Sequence, residues 1–227
     1  MARLELLQGA VMSELNGWQQ PLHYGDGASE LKMLRESVGI HDLSPRGAVR
    51  LVGEDSVSLE TGLFSGQKEL AVGQAREGRI AAENETVSFL ALRLARDEFI
   101  FLTAPGDAAT VTEFLRSSPA SCVHTNDISS GLAGAGIVGP QATFLLSMIT
   151  ELDVSSEAFP SLRCVQSRFA DVPGLLVRQD AVTGPAYQLY FTREYGEYIW
   201  EVIIQAAHRI GGGAVGTEAI KCLQDGC

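Results

Sequence analysis

The stretch HDLSPRGAVRLVGEDS, beginning at His41, returns in altered form as NDISSGLAGAGIVGPQA from Asn126. Both run Asp-(Leu/Ile)-Ser, then an apolar strand-like segment, then Val-Gly. A repeat at that spacing restricts the chain to a fold built from two like units, because neither copy is long enough to bury an apolar face alone. Around the first copy, residues 48–52 read as a strand and Gly53 as a turn. Glu54 and Asp55 suit the positive end of a helix through Val57, Leu59 and Leu63. Around the second, residues 132–138 are the strand and Gly139 the turn. Pro140 fits a first helical position, and Phe144, Leu145, Met148 and Ile149 make the buried stripe.

Each copy continues alike. Residues 88–104 are two strand-like runs around a charged turn, followed by a helix at 107–116. Residues 174–192 are a second hairpin with Thr183, Gly184 and Pro185 in its connection, followed by a helix in REYGEYIWEVIIQAAHRI. The order strand, helix, hairpin, helix, given twice, predicts an α+β fold of tandem pseudo-symmetric units with mainly antiparallel sheets. The division expected is 1–118 for the N-terminal helix and first unit and 119–227 for the second, joined in one integrated domain. The crevice where such halves meet is the expected small-molecule pocket.

Composition narrows the partners. A net charge of -11 repels phosphate backbones and anionic lipid, which argues against nucleic acid and membrane surfaces. The uncharged stretch 131–150 has the length of a membrane span, but Gly139-Pro140 divides it into a strand and a helix start. No secretory segment opens the chain. The cysteines at 122, 164, 222 and 227 lack the spacing of a zinc or redox site, so free thiols and a cytoplasmic setting are expected. His23, His41, His124 and His208 are scattered singly, so no metal site is expected. The glycines of IGGGAVG (210–216) read as a flexible connection, with a phosphate cradle as the alternative. Tyr187, Tyr190, Tyr195, Tyr198 and Trp200 read as core aromatics, with a ring-stacking site as the alternative.

Gly17, Trp18, Pro21, Tyr24, Arg35, Gly39, Asp42, Leu43, Ser44, Val52 and Gly53 fall where the glycine-cleavage aminomethyltransferase (T-protein) family places the same residues, and the chain resembles that family. VGQA (72–75), LAGAGIVGPQA (132–142), YQLYFTREYGEYIWEVII (187–204) and GTEAIKCLQDG (216–226) extend the similarity over nearly the whole sequence. No part of this sequence is expected to form the C-terminal β-barrel of family enzymes. The resemblance is therefore to the folate-binding core, shared with folate-binding regulators and the sarcosine oxidase gamma subunit.

That resemblance implies tetrahydrofolate as ligand and one-carbon transfer as chemistry. It also shows departures. The two aspartates expected near the reacting nitrogen fall on Val87 and Ser88, which cannot serve as acids; Glu83 or Glu85 would replace them only with a register slip. An expected Tyr falls on Glu77, an expected Met near Arg46, and the pterin-binding Glu on Gln188, which keeps hydrogen bonding without charge. Arg46 and Arg178 suit a folate carboxylate, or equally an ordinary ion pair. The positions implied for folate are thus Arg46, Glu77, Arg178, Tyr187 and Gln188, with no catalytic residue named. Two functions follow: an aminomethyltransferase-like protein with a degenerate site, or a non-catalytic subunit acting through a larger protein partner.

Overall fold

In the computed structural model, which describes residues 2–64, 67–82, 85–118, 122–181 and 184–226, the two Asp-x-Ser segments form the same turn. Asp42 Oδ1 accepts the Ser44 amide at 2.8 Å, and Asp127 Oδ1 accepts the Ser129 amide at 2.9 Å. Each serine hydroxyl then accepts an amide of a strand: Ser44 from Gly134 at 3.3 Å, Ser129 from Ala48 at 2.9 Å. The middle residues add Leu43 N–H to Gly134 O and Ile128 N–H to Ala48 O, both 2.9 Å. Each motif therefore ends one strand and fastens it to the next without leaving backbone groups unbonded.

The strand so fastened belongs to the other copy. The chain runs α1 (Ala2–Leu7), β1 (Val11–Leu15), β2 (Trp18–His23), α2 (Gly27–Glu36) and β3 (Gly39–Asp42). The first repeat follows as β4 (Gly47–Val52), α3 (Ser56–Leu63), β5 (Ala75–Ala82), β6 (Glu85–Ala95), β7 (Glu98–Thr103) and α4 (Ala108–Ser117), then β8 (His124–Asp127). The second is β9 (Leu132–Val138), α5 (Ala142–Ser147), β10 (Cys164–Phe169), β11 (Val172–Arg178), β12 (Ala186–Thr192) and α6 (Gly196–Arg209), closed by β13 (Gly213–Ala214) and α7 (Thr217–Asp225). Among the described residues one sheet has the order β5-β6-β7-β4-β8 and another the order β10-β11-β12-β9-β3-β13, beside the two-stranded β1-β2. Strand β8 precedes β9 in sequence but pairs with β4; β3 precedes β4 but pairs with β9.

Two compact units result, and they are interleaved along the chain. One contains residues 1–44, 132–161 and 166–227; the other contains 45–131 and 162–165. The first repeat lies in one unit; the second lies in the other apart from residues 162–165, which include the start of β10. Residues 1–44 join the second repeat because β3 and β13 extend its sheet.

In the 45–131 unit, Val49, Leu51, Phe99, Phe101 and Ala91 make one sheet face buried beneath Leu59 of α3 and Val111 and Leu115 of α4. Phe89 packs edge-on to Phe101 with ring centres 5.4 Å apart, so both rings belong to this core. In the other unit Asp26 caps α2 by accepting the Ala28 amide, and Gly226 ends α7 in the left-handed region.

Two local expectations change. Pro140 lies in the turn before α5, and the stripe α5 buries is Ala142, Leu145 and Leu146, leaving Phe144 and Met148 exposed. The run 210–216 is neither a flexible tether nor a phosphate cradle. Gly213 and Ala214 pair in parallel with Gly39 and Ile40, and a Cβ on Gly212 would lie 2.3 Å from the Val38 carbonyl oxygen.

Candidate functional site

Strand β9 carries Gly134 and Gly136, and those two glycines decide which side chains cross its sheet. In register, His41, Gly136, Gln188 and Val177 form one row, and Gly134, Tyr190 and Leu175 the next on the same face. A Cβ on Gly136 would meet His41 Nε2 at 1.9 Å, and one on Gly134 would meet the Tyr190 ring at 2.9 Å. The missing side chains are the space that His41 and Tyr190 occupy. Gln188 Nε2 donates to Gln179 Oε1 at 2.8 Å, and Tyr190 O–H donates to Gln188 Oε1 at 2.8 Å. A half-buried row of amide, phenol and imidazole results. In the other unit the matching rows hold Asn126, Arg50, Ile100 and Leu92, then Ala48, Leu102 and Leu90. The neutral polar row is thus peculiar to one repeat.

The opposite face carries Tyr187 and Arg178, paired across β12 and β11. Arg178 is buried. Its Nε and Nη2 donate to the two Asp180 carboxylate oxygens at 2.7 and 3.1 Å and its Nη1 to the Phe159 carbonyl at 2.8 Å, with the guanidinium 5.5 Å from the Tyr187 ring centre. The Asp180 bonds hold Arg178 more firmly protonated than usual. Tyr187 is fully buried, bonded to Thr143 Oγ1 at 2.8 Å and to the Val154 carbonyl at 3.1 Å, and burial raises its phenol pKa.

The same device recurs at Arg93. This guanidinium bonds the Leu70, Ala95 and Arg96 carbonyls and the Glu69 carboxylate, and lies over Phe99. A guanidinium at this strand position bonds loop carbonyls in both units.

The other sequence-derived positions lie in the 45–131 unit. Arg46 Nε donates to the Thr103 carbonyl at 3.2 Å, and Glu77 is exposed on β5 opposite Leu90. Val87 is a core side chain paired with Ile80, while Ser88 is exposed opposite Arg79, so neither supplies an acid. Glu83 lies outside the described residues, as does the side chain of Glu85. Of the implied folate positions, only Gln188 stands in the polar row. His41, Gln179 and Tyr190 join it unannounced, although the spacing Gly134-x-Gly136 inside a strand is a signal for close side-chain approach.

A second cluster also lacks a sequence signal: Glu5, Tyr24 and Asp42, all shielded from solvent in the unit that contains α1. Among the described residues no group of three His, Cys, Asp or Glu could hold a metal ion, and no helix is long and apolar enough to cross a membrane. Cys164 is buried, and burial pushes its thiol up to about 12.

The GCVT N-terminal domain matches residues 2–224, almost the full sequence. The chain belongs to that family. Sarcosine oxidase subunit alpha of Corynebacterium sp. (strain U-96) is 27% identical over 96% of this GCVT-type chain, and human mitochondrial dimethylglycine dehydrogenase is 26% identical over 91% of it. The aminomethyltransferase of Saccharopolyspora erythraea is 24% identical over 89%. The chain spans about a quarter of the first two relatives, which it covers over 25% and 24% of their length, and 56% of the third. Aminomethyltransferase T of the glycine cleavage system from Bartonella henselae superposes on 98% of the chain, and 60% of its own, with a TM-score of 0.82 at 18% identity. A chain of heterotetrameric sarcosine oxidase from Corynebacterium sp. U-96 superposes on 81% with a TM-score of 0.59. The α+β architecture with antiparallel sheets is therefore that of the GCVT domain.

Proposed function

We propose that this GCVT-type chain binds a reduced folate through the polar row on β9 and β12, and that it binds without catalysing transfer. The observation that carries the reading is the Gln188 amide, bonded to Gln179 on one side and Tyr190 on the other, where the matching strand position in the other repeat is the apolar Ile100. A pterin edge presents both donors and acceptors. Amides offer both, and neighbouring amide and phenol groups can exchange partners with a ligand of that kind at little cost. The donor set fits the ligand. Bound tetrahydrofolate supplies the nitrogens on which a one-carbon unit is carried. Gln188, Gln179 and Tyr190 would hold the ring, while Val87, packed in the apolar core, leaves no acid at the position the family uses for proton transfer.

Calorimetry with tetrahydrofolate under reducing conditions tests this. The expected result is micromolar binding that weakens at least about tenfold in Gln188→Leu and tightens in Gln188→Glu, where a charged acceptor replaces a neutral one. Binding that ignores both substitutions, or no binding by the folded protein, rejects the site. A second reading, that the chain works as one subunit of a larger assembly, is supported by Phe144 on α5, Met148 just beyond it and Tyr198 on α6, all large and exposed. Such an assembly could supply the missing acid.

A further inference from the structure

Helix α1 is turned the opposite way from its composition. Leu6 and Leu7 are 56% and 76% exposed, while Glu5 is 0% exposed. Neither Glu5 carboxyl oxygen has a hydrogen-bond partner, and the buried Tyr24 hydroxyl has none either. The nearby acid is Asp42, itself buried, whose Oδ1 is occupied by the Ser44 amide. Its twin Asp127, with the same turn, is exposed. The copies therefore differ in that Asp42 is shielded from solvent, within the unit to which α1 belongs. An ionised carboxylate without donors cannot persist in such a place, and a second carboxylate beside it makes the cost greater.

We propose that α1 is a proton-operated latch: it seats against its unit while Glu5 is protonated and is released when Glu5 ionises, uncovering Asp42. The charged and titratable groups around Glu5 are consistent with this. Asp42 on β3 and Glu5 repel when both are ionised, and burial first, then both carboxyls, keep the Tyr24 phenol protonated. Glu30 on α2 is committed elsewhere, accepting the Tyr24 amide at 2.7 Å and the Gly216 amide at 2.6 Å. Arg193 favours ionised Asp42, and the amino terminus favours ionised Glu5 without overcoming its burial. Burial first and Asp42 second push the Glu5 carboxyl from its ordinary 4.5 up to about 8.

The sign follows from where the proton is held. Seated α1 keeps a proton that released α1 gives up between these two values, so the seating constant falls about tenfold per pH unit as pH rises through that window and levels off above it.

The chain contains its own reporter. Trp200, fully buried on α6, donates its indole N–H to Gln8 Oε1 at 3.1 Å, one residue beyond α1. In a Trp18→Phe background, Trp200 emission and amide-exchange protection of residues 3–8 are followed from pH 5 to 9. Both are expected to fall with rising pH in the otherwise native protein and to stay level in Glu5→Gln, which needs no proton to be neutral. Asp42→Asn, lacking the repelling charge, should lose part of the pH dependence.

The Glu5 carboxyl carbon, followed by nuclear magnetic resonance in the native sequence, should titrate at least two units above an ordinary carboxyl. A Glu5 midpoint between 4 and 5 overturns the latch whatever the variants do. So does pH dependence in Glu5→Gln equal to that of the native protein.

Discussion

Single residues show how one local bond can explain a repeated word. Ser44 and Ser129 sit in equivalent turns, and each hydroxyl accepts an amide from the strand with which its own strand pairs. Replacing either by Ala removes one acceptor from a strand amide. Ser129→Ala and Ser44→Ala should each lower unfolding free energy by about 1 kcal/mol, in line with a lost net hydrogen bond, and the two should add because the sites belong to different units. Urea denaturation of the two single variants and the double variant checks both statements. The Asp-(Leu/Ile)-Ser words were legible in the chain as a repeat, but the partner of each serine was not. A hydroxyl states what it can accept and says nothing of which amide will reach it. The same holds for Arg178: its guanidinium suits a ligand carboxylate or an ion pair, and only the fold brings Asp180 and the Phe159 carbonyl within its reach.

Elements were read with uneven success, for identifiable reasons. Strands β4 and β9, the β6-β7 and β11-β12 hairpins, and helices α4 and α6 follow from periodicity and turn residues. The short strands β3, β8 and β13 do not, since four residues or fewer carry no period. Of the stripe expected for α5, Leu145 and Ile149 are buried while Phe144 and Met148 are exposed, because six residues give little period by which to fix a helix's rotation. The glycine run before α7 misled for a different reason. Glycine permits flexibility, but at 212 it is required by contact: a Cβ there would meet backbone, which cannot step aside. Gly212→Ala should therefore cost about 2 kcal/mol or more, a size expected when β13 must move away from β3, whereas a tether would tolerate the change. The thermal midpoint of this variant measures it.

At the scale of the whole molecule, the exchange of β3 and β8 makes each repeat depend on a strand supplied from the other side of the sequence midpoint. A fragment of residues 1–118 lacks β8, and one of 119–227 lacks β3 and the rest of the N-terminal segment. Neither should show a cooperative melt alone, and mixing the two should restore one, which circular dichroism can follow. A cooperative melt in either fragment by itself would show that the exchanged strand is dispensable. The sequence by itself determined the duplication, the α+β class and the net negative charge, because patterning and composition are local properties. Only the tertiary structure decided that the repeats exchange strands, that His41 and Tyr190 fill the space left by Gly136 and Gly134, and that Glu5 is buried near Asp42. Each of those depends on contacts between segments far apart in the chain, and no local pattern encodes which distant group will come within bonding distance.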